Sequence, residues 1–207
     1  MSETYVSLSG EGSGRYEEKK SFFIAFAKPI VSEADALGYL NSIRAKYPDA
    51  RHHVYAYVLR EGNKTRYSDD GEPSGTGGMP VLDLLRKAGI TDAVIVVVRY
   101  FGGILLGTGG LVRAYSTAAK EALQNAIPAI YYPADILKIQ IGYADYQKIV
   151  AALQAVTVTD TVYEDDITVT LTVDQTQTEA FVASMTAQTS GRVTIMRVGK
   201  TFCRKLR

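Results

Sequence analysis

Residues 93–98 read Ala-Val-Ile-Val-Val-Val, and no other feature constrains this chain as much. Six apolar residues in succession leave neither side of an extended chain polar. The strand they predict is therefore of the kind buried on both faces of a sheet, not the kind with one face in water. The run ends abruptly in Arg99-Tyr-Phe-Gly-Gly. An arginine closing an apolar strand is costly to place without a partner. Either a carboxylate such as Asp69, Asp70 or Glu72 satisfies Arg99, or an anionic ligand does.

The remaining elements follow from periodicity and punctuation. Residues 21–27 read as a strand. Ser32 is a good N-cap with Asp35 three residues on, and Leu37, Leu40, Ile43 and Tyr47 keep helical spacing until Pro48. Residues 52–59 alternate, with Val54, Ala56 and Val58 on one face and His53, Tyr55 and Tyr57 on the other. Glu61-Gly-Asn can turn this strand back as a hairpin through residues 64–67. Helices are predicted over 79–87 and 111–125, the second burying Val112, Tyr115, Ala119 and Ala122. Pro128 and Pro133 bracket an expected linker. Beyond it come a strand (136–141), a helix (143–155), two strands (157–163 and 167–173), a helix (178–188) and a last strand (192–198). That β-α-β-β-α-β order is ferredoxin-like. The basic end, with Arg197, Lys200, Arg204, Lys205 and Arg207, is a candidate polyanion patch but reads better as a solvated tail. The expected fold class is α+β, with domains over 1–130 and 131–207.

Composition excludes several classes. With 46% hydrophobic and 22% charged residues among 207, a packed core is expected. The net charge of +1 is not that of a non-specific nucleic-acid binder, so any polyanion site must be a local patch. No apolar run is long enough to cross a bilayer, and the opening Met-Ser-Glu-Thr-Tyr lacks a leader pattern. The single cysteine, Cys203, can form no internal disulfide. A cytoplasmic location is expected, with no membrane partner and no DNA sequence readout.

Two polar, glycine-rich loops flank the apolar strand, and strand ends are where ligand-binding loops gather. They supply the candidate site residues Asp69, Asp70, Glu72, Ser74, Arg99, Tyr100, Gly102, Gly103, Gly109, Gly110 and Arg113. Gly109 and Gly110 at a helix start offer free N–H groups to an anion, with Arg113 one turn on. The loop lacks the Lys-Ser/Thr of a nucleotide-binding P-loop and any dinucleotide fingerprint. Asp69-Asp-Gly-Glu lacks calcium-loop spacing, and adjacent His52 and His53 fall on opposite faces, so no metal site is assigned. His52 reads as a core or edge histidine. His53, with Tyr55 and Tyr57, reads as packing or as a stacking surface for bases. Ser74 lacks a nucleophile elbow, and Cys203 is remote from either histidine. No catalytic residue and no cofactor is assigned.

Three segments carry a resemblance to a known family. Ser68-Asp-Asp-Gly-Glu-Pro-Ser-Gly-Thr, Val96-Val-Val-Arg-Tyr-Phe-Gly-Gly-Ile and Leu106-Gly-Thr-Gly-Gly-Leu-Val-Arg-Ala-Tyr resemble the IMPACT family, in particular its bacterial, YigZ-like branch. The resemblance implies a first domain like the second domain of ribosomal protein S5, a shape also found in elongation factor G. It implies a ferredoxin-like second domain like the one that follows in that factor. Eukaryotic members restrain a kinase of translation initiation through an extra N-terminal domain. This sequence opens on the shared domain, so that role is not expected here. What the resemblance implies is a non-catalytic regulator that binds ribosome, RNA or a translation factor through the glycine-rich loop surface. The alternative is an enzyme, or a sensor of a phosphometabolite or Mg²⁺, using Asp69, Asp70, Glu72 and Arg99. A third possibility is that these segments mainly hold the fold together.

Overall fold

In the computed structural model, which describes residues 4–206, the apolar run becomes the central strand of a five-stranded sheet. The chain divides into two units, Tyr5–Ile130 and Tyr131–Lys205, the second also holding Thr4. The first unit opens with β1 (Tyr5–Leu8), β2 (Gly12–Glu18), β3 (Ser21–Pro29) and α1 (Glu33–Lys46). β4 (His52–Leu59), a single 3₁₀ turn (Glu61–Asn63) and β5 (Lys64–Ser68) lead to α2 (Gly78–Lys87). β6 (Ala93–Tyr100) and α3 (Gly107–Asn125) follow. The sheet runs β2-β3-β6-β4-β5 and is antiparallel throughout.

Alternation along β6 divides the core. Ala93, Ile95 and Val97 join the cluster that includes Val81, Leu82 and Leu85 of α2 and Ala114, Tyr115 and Ala118 of α3. Val94, Val96 and Val98 join Ala36, Leu40 and Ile43 of α1 on the opposite face. Both faces are thus covered, as an unbroken apolar strand requires. The cap of α1 forms as its residues suggest: Ser32 Oγ accepts the Asp35 N–H at 3.1 Å, and Asp35 Oδ2 accepts the Val31 N–H at 3.2 Å.

The α3 helix begins a full turn before residue 111, so the glycines expected to precede it form its first turn. That frame turns Val112 outward, 38% exposed, and gives the inward positions to Leu111, Ala114 and Tyr115. Alanines let α3 lie directly on β2. A Cβ at Gly14 would stand 2.5 Å from Ala122 N and 2.6 Å from Ala118 O, a separation no side chain tolerates.

The second unit takes the expected β-α-β-β-α-β order. Its elements are β7 (Pro128–Ile141, which enters the unit at Tyr131), α4 (Tyr143–Leu153), β8 (Thr157–Tyr163), β9 (Ile167–Asp174), α5 (Thr178–Gln188) and β10 (Thr194–Leu206, which leaves it after Lys205). β7 lies between β10 and β9, and β8 pairs with β9 at the edge, which is the ferredoxin-like arrangement. Residues 128–133 are not a linker but the start of β7, and Pro128 occupies the first strand position, where its missing N–H does no harm. The basic end is likewise not a tail. Pairing with β7 carries β10 to Leu206, so Arg197, Lys200 and Arg204 lie on a strand, while Arg207 falls outside the described residues. Leu137, Ile139, Ile141, Val169 and Leu171 form the core with Ile149 and Met185 from the helices. Asp145 ties α4 to the segment before β10, accepting from Arg192 Nε and Nη2 at 2.6 and 2.8 Å and from Lys148 Nζ at 2.5 Å. Hydrogen bonds from Arg192, then Lys148, hold its carboxyl well below the usual carboxylate range.

Two stability measurements check this account. Gly14→Ala is expected to cost about 1–3 kcal/mol in denaturant unfolding by forcing α3 off β2. Gly38→Ala, in α1 with nothing within 4 Å of the new methyl, is expected to stabilise by about 0.5–1 kcal/mol. Because the folded carboxyl of Asp145 is depressed, its contribution is present above the ordinary value of 3.8 and is lost as pH falls toward the folded one. The stability gap between wild type and Asp145→Asn should therefore be full at neutral pH and narrow only below that value.

Candidate functional site

At the C-terminal end of β6 a buried cluster joins the two polar loops. Register sets Arg99 opposite His52 of β4 and opposite Phe23 of β3, and the parity of β6 turns Arg99 toward the α2/α3 side. Arg99 is 6% exposed, and its guanidinium is 5.4 and 5.7 Å from the centres of the Phe23 and Phe101 rings. Its Nη1 donates to Glu72 Oε1 at 2.5 Å. Tyr115 of α3 donates its hydroxyl to the same oxygen at 2.7 Å, and its ring meets Phe23 edge-on at 5.0 Å. Burial, then the Glu72 charge, raises the Tyr115 hydroxyl far above its ordinary value, so it stays protonated and a donor at physiological pH. His52 Nδ1 is 2.8 Å from the Asp70 carbonyl, which only accepts, so this nitrogen carries the proton. His52 Nε2 stands 3.8 Å from Glu72 Oε1.

The other two carboxylates have separate tasks. Asp69 gathers three backbone donors, Gly75 N at 2.9 Å, Gly77 N at 3.0 Å and Gly78 N at 2.8 Å. It thereby caps α2, whose N-cap residue, Gly77, has no side chain for the purpose. Asp70, in the left-handed region with φ 46°, accepts the His53 N–H at 2.6 Å and Arg44 Nη2 at 3.2 Å. The three acids lie within one short stretch of sequence yet do not converge, and among the described residues no three His, Cys, Asp or Glu side chains form a metal-binding group.

Of the other candidates, Tyr100 belongs elsewhere. One residue past Arg99, it falls on the α1 side and donates to Asp49 Oδ1 at 2.8 Å. Gly102 lies against the turn between β2 and β3, where a Cβ would stand 2.3 Å from the Lys20 carbonyl oxygen. Ser74, Gly103, Gly109 and Arg113 are exposed, and Gly110 is half-buried. Arg113 lies near the Tyr16 hydroxyl, which donates to Glu18 Oε2 at 2.8 Å. The stacking surface considered for His53 does not exist. His53 is buried, with Nε2 3.0 Å from the Tyr47 carbonyl, and Tyr57 is covered by α1. Sequence reasoning missed Tyr115 and His52 as members of the cluster. A buried tyrosine hydroxyl needs a partner, and the strand parity of His52 already set it on the valine face; these were the available signals. Beside the cluster, a groove of about 360 Å³ between α2 and α3 is lined by Met79, Leu84, Lys87, Val112 and Ser116, and none of the three acids borders it.

Removing Arg99 leaves a buried carboxylate without its cation. Arg99→Ala is expected to cost about 3–5 kcal/mol in urea unfolding. Adding Glu72→Gln should restore part of that loss, because the stranded charge is then gone. A single variant as stable as wild type would refute the role given to the pair.

Comparison with known proteins matches this framework on both units. The Impact N-terminal domain model matches residues 19–123, and a second model, described as a domain of unknown function, matches residues 139–192. An IMPACT family member of Haemophilus influenzae is 34% identical over 184 residues, covering 86% of this chain and 89% of that protein. The IMPACT family member YigZ of Escherichia coli is 41% identical over 140 residues, covering 66% of this chain and 69% of that protein. A crystal structure of a hypothetical protein superposes with a TM-score of 0.62 at 30% identity, covering 96% of this chain and 98% of that one. The buried clamp is therefore built from segments that lie within a family-wide domain, and this chain, similar to YigZ, belongs to the IMPACT family.

Proposed function

We propose that this chain is a non-catalytic regulator associated with translation, which binds ribosome, RNA or a translation factor through the exposed rim of its first unit. The observation that carries the reading is the commitment of the acid side chains. Glu72 Oε1 is held by Arg99 and Tyr115 in a side chain almost closed to solvent, Asp69 by three amides, and Asp70 by an amide and Arg44. Groups so engaged are poor candidates for acid–base work, which needs a free lone pair or proton facing substrate. What faces solvent is glycine backbone, Ser74 and the Arg113 cation, a surface suited to contact rather than chemistry. The likeness to domains of elongation factor G that the family resemblance implies supports a translational partner by analogy of fold.

The test is co-sedimentation with ribosomes and their subunits at low and near-physiological salt, comparing wild type with Arg113→Ala. Arg113 is exposed, so its removal spares the buried clamp. Binding that survives the higher salt and weakens about fivefold to tenfold in the variant is expected, the usual effect of losing an interface arginine. Absence of binding at either salt refutes a ribosomal partner. A second reading draws on one fact: Arg99 Nε is buried without a hydrogen-bond partner. If that donor serves a phosphorylated metabolite, a thermal-shift screen of such metabolites and Mg²⁺ should raise the melting temperature of wild type.

A further inference from the structure

We draw no further inference here: the strongest candidate, the groove between α2 and α3 lined by Met79, Leu84 and Val112, carries nothing because nothing in the structure shows what covers it.

Discussion

A carboxylate with 3% of its side chain open to solvent must be answered from within the protein, and much of the first unit is arranged around answering Glu72. Arg99 supplies the charge from the end of the central strand, Tyr115 a hydroxyl from α3, and His52 a neighbouring ring from β4. One oxygen thus connects a loop, two strands and a helix that are far apart in sequence. Burying an ion pair is weak as a source of stability, because desolvation offsets the attraction, but losing one partner is severe. Such a pair therefore acts most strongly on which arrangement is allowed. Asp69 works in the same sense on a smaller scale: by collecting amide donors it fixes a stretch of chain that has no ladder of its own.

How much of this was legible in the sequence depends on the distance over which each feature is decided. The unbroken apolar run of β6 is a local signal, and that strand and β9 formed where read. The start of α3 was misjudged because glycine is a poor helix former. Its weak propensity is overridden here by the packing of the helix that follows. The long strands β7 and β10 were read short, since prolines and basic residues look like punctuation until the neighbouring strand is known. The arginine's need for an acid partner was visible, and Glu72 was among those named. Which acid it took was not, because the answer lies in strand register: His52 opposite Arg99 is a fact of pairing, and Tyr100 leaves for the other layer by parity alone.

The candidate surface separates, on this view, into an interior that holds and an exterior that is available. Reactive side chains fill the first, while glycine backbone, Ser74 and Arg113 form the second. A list of polar residues taken from sequence merges the two, because both belong to the same short segments. Burial tells them apart, and it turns attention from the acids to the parts of the loops that touch nothing.

The sheet order has a consequence for how the first unit is made. β2 pairs with β3, and β4 with β5, each as a hairpin of local contacts. Only β6 joins β3 to β4, and it is synthesised after all four. During translation the two hairpins must wait, each with an open strand edge facing the place β6 will take. Edges of that kind recruit whatever extended chain is near. The nascent protein is most exposed to mispairing in the interval before the apolar run leaves the ribosome, and the arrival of that one strand closes both edges at once.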